Sequence, residues 1–194
     1  MLTPSPSGVI QREYGTSSTS AGSAMPASSS SSRTAVAPWS ASSAEFTAPP
    51  GKTHAATAVR ELEEEAGLAL PADTELVPYS RWITPDGEGV SIRFDTWFYA
   101  ARAPNGAVAR PDGGECVDAR WLTPAGALAL HAKDELALVF PTIKHLERLS
   151  QTDSVDETLA AARGRKVEPV LPKLTLRDGV PQVLMPGDPG YNDA

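Results

Sequence analysis

The first fifty residues of this chain do not contain the material for a core. Met1 to Pro50 hold 14 serines, no aspartate, and only Glu13 and Glu45 as acids. The apolar residues there are mostly small and show no sustained period of 2 or 3.6. Ordering such a segment costs roughly 1–2 kcal/mol of backbone entropy per residue, more than so little buried surface can offset. The expectation is a disordered Ser/Ala/Pro-rich segment over 1–48, a globular domain over 49–166, and a proline-rich tail over 167–194. Whatever packs must come from the 144 residues that begin at Gly51, enough for one domain of ordinary size.

The totals exclude several classes. A net charge of -7 argues against a general binder of nucleic acid or of anionic membranes, and suits a protein that collects divalent cations. Cys116 is the single cysteine, so no intrachain disulfide forms, and His54, His131 and His145 lack a zinc-like spacing with it. No apolar run approaches the roughly 20 residues of a membrane span. The N-terminus has no basic start followed by an apolar core, so it does not read as a signal peptide, and the cytoplasm is the expected location.

Local signals then divide the globular part. Thr53 is placed as the N-cap of a helix running to about Ala66, with Gly67 as its stop. LVPYSRWI (76–83) and VSIRFDTWFYAARA (90–103) read as strands around the turn PDGEG, and ECVDARWL (115–122) as a third strand. Helices are expected over 123–132, over 141–151 with a proline in the first turn, and over 153–165. From Val167 the tail is read as extended on the surface. Trp82, Trp97 and Trp121 are read as core aromatics, with nucleobase stacking open to one of them. Arg93 and Asp95 share a strand face and are read as an ordinary cross-strand ion pair before a groove lining. His54 and His131 are read as surface residues, and Arg163, Arg165 and Lys166 as a solvated basic cluster.

The segment RELEEEAGL (60–68) carries the chemistry. At about 100° per residue, Ala55, Ala58, Val59, Leu62 and Ala66 share one arc of the helix, while Glu61, Glu64 and Glu65 group within about 100° on the other side. Like charges at these spacings destabilise a helix by about 0.2–0.5 kcal/mol each. A bound cation would offset that, and magnesium, which takes oxygen ligands and bridges carboxylates to substrate phosphates, is the natural partner. A solvated acidic face is the other reading.

These nine residues also resemble the core of the Nudix box: arginine, glutamate, an aliphatic, any residue, two glutamates, any residue, glycine, an aliphatic. WITPDGEGVSIRFDTWFYAA, GGECVDARWLTPAGALAL and LVFPTIKHLERL look like the later strands and helices of bacterial Nudix hydrolases, among them the group of coenzyme A diphosphatases. The likeness covers about residues 50 to 150, and the PGDPGY tail fits the same group. It implies an α+β fold, an α/β/α sandwich with a mixed sheet, whose N-terminal strands are missing or altered here. It implies Mg2+ or Mn2+ held by Glu61, Glu64 and Glu65. Catalytic roles would fall to Arg60, which orients a glutamate, to Glu64, and to Glu115 as general base or further ligand. The substrate would be a small nucleoside diphosphate derivative cleaved at the diphosphate, and a homodimer is typical of the family.

Two positions depart from the full motif. Counting back from Arg60, its upstream glutamate and glycine positions hold Lys52 and Phe46. The glycine-rich loop that brings backbone N–H groups to the phosphates is replaced by SSAEFTAPPG. The reading is therefore a metal-dependent diphosphatase, with a non-catalytic Nudix-fold protein as the alternative.

Overall fold

The computed structural model describes residues 53–85, 94–111, 113, 119–177 and 179–193, and the backbone of 33–37. Four helices, α1 (His54–Ala66), α2 (Pro124–His131), α3 (Phe140–Leu149) and α4 (Val155–Arg163), flank six strands. These are β1 (Arg33–Ala37), β2 (Val77–Ile83), β3 (Asp95–Ala103), β4 (Pro169–Val170), β5 (Lys173–Arg177) and β6 (Val180–Leu184). The main sheet runs in the order β1-β3-β2-β4, with β1 and β2 antiparallel to β3 and β4 parallel to β2, so the sheet is mixed.

The sheet face that each residue of β2 takes is set by an irregularity. Pro78 pairs with Tyr99 and Ser80 with Phe98, which leaves Tyr79 as an extra residue. A bulge of this kind puts two successive side chains on the same side. Hence Val77, Tyr79, Ser80 and Trp82 are all buried, whereas a regular strand would alternate. Opposite them on β3, Phe98 and Ala100 face the same way, and Asp95, Trp97 and Tyr99 face the other.

Helices α3 and α4 cover the first of these faces. The buried positions Thr142, His145, Leu146 and Leu149 recur at helical spacing along α3, and Val155, Thr158, Leu159 and Ala162 along α4. Together with Val77, Tyr79, Trp82, Phe98, Ala127 and Leu136 they form the larger core, in which Leu146 and Leu149 are 1% exposed. Three helix starts are fixed by side-chain caps: Thr53 accepts from Ala56 N, Thr123 from Gly126 N, and Ser154 from Glu157 N. Among the described residues no helix is long and apolar enough to cross a membrane.

Helix α1 lies on the other face. Its Leu62 and Ala66 join Leu68 in a separate small core with Leu70, Ala107, Ala109, Ala119 and Trp121. The result is an α+β, helix–sheet–helix arrangement, as expected from the sequence.

Three expectations need correction. β1 lies inside the segment read as disordered: Arg33–Ala37 pairs residue for residue with Ala103–Tyr99. RTAVA is too short for a periodic signal, and its pairing partner is 66 residues away at the centre of the register, so only the edge of β3 defines it as a strand. The tail is not simply extended. Pro169 and Val170 add an edge strand to β2, where a missing N–H is tolerated, and β5 and β6 form their own hairpin. Tyr191 then donates from its hydroxyl to Leu171 O at 2.7 Å, folding the end of the chain back. Trp97 and Trp121 are half-buried, and only Trp82 is a full core residue. Of the expected third strand only 119–122 is described, and no extended strand forms there. The PDGEG turn beyond Pro85, and Phe46, Lys52, Arg93, Glu115 and Cys116, lie outside the described residues.

Candidate active site

Both ends of the glutamate helix are held in place. At its start Thr53 has extended backbone and takes the Ala56 N–H, as the sequence expects. At its end Gly67 turns left-handed at φ +61°, its N–H donating to Glu63 O at 3.0 Å and that of Leu68 to Leu62 O at 3.3 Å. A Cβ at Gly67 would meet both Arg110 Cβ and Arg110 O at 3.1 Å, so glycine is required by conformation and by space. Arg110 N in turn donates to Ala66 O at 2.7 Å, which ties the last turn of α1 to the loop after β3.

Between these anchors, Arg60 bridges two of the three expected ligands. It donates from Nη2 to Glu61 Oε1 at 3.1 Å and from Nη1 to Glu64 Oε2. The Glu61 side chain is 20% exposed and that of Glu64 57%, so the first leans toward the protein and the second toward solvent. Glu65 is half-buried, and both it and Glu61 make further interactions. The guanidinium offsets a repulsion that the carboxylates would otherwise exert on one another.

His54, Glu61 and Glu65 follow one another at i, i+7 and i+11, which is a single stripe along α1. The His54 end rests on the sheet: its ring stacks on Trp97 with centroids 5.9 Å apart and planes at 22°. Trp97 in turn stacks on Tyr99 at 6.4 Å and 23°. Arg81, directly across from Trp97 in the ladder, holds its guanidinium 5.3 Å from the indole centroid. The same group makes a two-pronged pair with Asp95, Nε to Oδ1 at 2.8 Å and Nη2 to Oδ2 at 2.5 Å. That pair lowers the Asp95 carboxyl and raises Arg81, burial opposing both shifts, with the charge of His54 a smaller influence on Asp95. One sheet face thus carries an aromatic shelf at the N-terminal end of α1 and acidic side chains about two turns, or about 10 Å, farther along.

The structure brings Arg60, Glu61 and Glu64 into contact and sets Glu65 on the same helix; Glu115 falls outside the described residues. Among the described residues no three His, Cys, Asp or Glu side chains converge tightly enough to enclose a metal ion by themselves. The donor set is nevertheless all carboxylate oxygen, the chemistry that Mg2+ and Mn2+ prefer. Sequence reasoning missed Arg81 as the partner of Asp95 and missed the His54–Trp97 stack. The alternation of β3 puts Asp95 and Trp97 on one face, but nothing local shows which residue stands across from them.

Comparison with known proteins bears on the same residues. Over 117 residues the chain is 31% identical to the human protein acyl-coenzyme A diphosphatase NUDT19, a match that covers 58% of this chain and 31% of that protein. The chain therefore spans about a third of the length of this relative. No solved structure matches the chain. The sequence model of the NUDIX domain matches residues 38–142, more than half of the chain and the whole of α1 through β3, and the protein belongs to the Nudix family.

Proposed function

We propose that this protein is a divalent-metal-dependent hydrolase that cleaves the diphosphate linkage of a nucleoside diphosphate derivative. The observation that carries the reading is the Arg60 bridge to Glu61 and Glu64 on a helix of the Nudix family, with Glu65 beside them. Holding like charges together on one face needs a compensating reason, and cation binding supplies one.

Glu61, Glu64 and Glu65 would hold the ion, with waters and the substrate phosphates completing its shell, which suits carboxylates that do not close a cage. Bound there, Mg2+ or Mn2+ would neutralise phosphate charge and lower the pKa of an attacking water. The remaining roles belong to the chain itself. Arg60 fixes the rotamers of two carboxylates, so less side-chain entropy is lost when a ligand arrives. Gly67 and the Arg110–Ala66 bond fix the helix end, and with it the depth of Glu64 and Glu65. Trp97 and Tyr99 offer flat apolar surface on the same face, within reach of a base whose diphosphate sits at the carboxylates. Glu115, downstream of the motif, would serve as general base or further metal ligand on the family resemblance alone.

The test is turnover of ADP-ribose, NADH, coenzyme A and an acyl-coenzyme A with magnesium, coenzyme A compounds being chosen because the human relative is an acyl-coenzyme A diphosphatase. Cleavage at the diphosphate that falls at least about a hundredfold in Glu64→Gln is expected. Equal turnover in that variant would refute the assignment of Glu64. A non-catalytic Nudix protein is the second reading, favoured by Lys52 and Phe46 at the motif's glutamate and glycine positions. It predicts magnesium binding with no turnover of any of the four compounds.

A further inference from the structure

On the sheet face away from α1, two guanidiniums lie over one aromatic ring, and among the described residues neither pairs with a carboxylate. Arg148, in the last turn of α3, lies over the ring of Tyr79 with its Cζ 5.4 Å from the centroid. Arg165, just beyond α4, lies over the same ring at 5.7 Å and donates from Nη2 to the Tyr79 backbone carbonyl at 2.7 Å. Burial and the neighbouring Arg148 both push Arg165 below the usual arginine range. The adjacent Arg163 shows what is missing: Glu75 grips it at 2.7 and 2.5 Å, while among the described residues no carboxylate pairs with Arg148 or Arg165.

Two neighbours sharpen the imbalance. His145, edge-on to Tyr79 at 5.6 Å, is held neutral by burial and by these same arginines, whose charge a protonated ring would only add to. The Tyr79 hydroxyl is buried with no hydrogen-bond partner among the described residues, although buried tyrosines ordinarily find one. The π electrons of the Tyr79 ring attract both cations but cannot neutralise either.

We propose that Arg148 and Arg165, which share the Tyr79 ring, form a second binding site, separate from the α1 carboxylates, for an oxyanion of the phosphate class. The anion is either free phosphate or the phosphoryl group of a mononucleotide. Guanidinium forks match the spacing of phosphate oxygens, and two of them around one dianion remove the repulsion that each exerts on the other. The site does not depend on the hydrolase reading, because it lies across the sheet from Glu61, Glu64 and Glu65.

The test is calorimetric titration of the full chain with inorganic phosphate, at fixed ionic strength with chloride as the balancing ion. Saturable binding is expected, weakened at least about tenfold in Arg148→Gln and in Arg165→Gln and unchanged in Glu64→Gln. Both arginines are surface-reaching, and circular dichroism of each variant verifies that it is folded. A second arm uses adenosine monophosphate. Heat that the same two variants abolish assigns a nucleotide phosphoryl group, and heat with phosphate alone assigns the free ion. Three results overturn the proposal: no saturable heat in either arm, binding that survives both arginine changes (an adventitious ion only), or binding lost in Glu64→Gln, which would put the anion at the α1 carboxylates.

Discussion

Lowering the pH from about 6 to about 4.5 should remove about 2 kcal/mol of folding stability through His145 alone. The ring is 3% exposed and sits edge-on to Tyr79, Trp82 and Phe98. Trp82 Nε1 can only donate, so its 3.1 Å bond makes His145 Nε2 an acceptor, and Ser80 Oγ donates to the same nitrogen at 2.6 Å. A proton on Nε2 would break both bonds. Burial first, then the charges of Arg148 and Arg165, push the pKa down from 6.5 to about 3. Because the folded value lies below the unfolded one, this stability is complete above about pH 6.5 and is lost as the pH falls toward about 3. Across most of that window the unfolded chain carries nearly one extra proton, a slope of about 1.4 kcal/mol per pH unit. Urea unfolding of the wild type and of His145→Gln at several pH values reads the effect. Glutamine keeps an acceptor for Trp82 and has no titration, and the carboxylates common to both proteins cancel in the difference. If both proteins lose the same stability on acidification, His145 is not held neutral by its surroundings and the account of the core is wrong.

Three further outcomes are expected. Gly67→Ala should cost about 1–3 kcal/mol in urea unfolding, because φ +61° and the 3.1 Å approach to Arg110 both oppose a Cβ; an unchanged midpoint would mean that the loop after β3 yields freely. Leu146→Ala, at 1% exposure in the larger core, should cost about 2–5 kcal/mol by the same measurement, and a loss under about 1 kcal/mol would show that α3 is not packed as described. Arg81→Gln should move the Asp95 carboxyl back up toward its ordinary range, since the Arg81 hydrogen bonds are the largest cause of its depression, and NMR titration of the Asp95 side chain would detect it.

The glutamate helix was the most legible part of the chain because its signals are local. A Thr cap, an apolar arc and a stop glycine fall within fifteen residues, and each is present as read. Helices α2 to α4, expected over 123–132, 141–151 and 153–165, were legible for the same reason. What failed was non-local. β1 exists only as a partner of β3, and Asp95 finds Arg81 fourteen residues back along the chain. One signal was present and unread: the Gly179 that precedes VPQV has φ +76°, where β5 gives way to β6. Another was the burial of His145, which stands at i+3 from Thr142 and four residues before Leu149, on the apolar arc of α3. At the acidic site, the ligand candidates were readable because they share one helix, while the aromatic shelf required the sheet to bring His54 and Trp97 together.

The extra residue in β2 has a consequence for how this protein can change. Deleting Tyr79 would regularise the pairing with β3 while leaving Val77 opposite Ala100, Pro78 opposite Tyr99 and Ser80 opposite Phe98, so every other side chain of the strand would keep its face. What would go is the Tyr79 ring itself, and with it the platform on which Arg148 and Arg165 rest. The bulge thus adds one aromatic side chain to the core without displacing the ladder on either side of it.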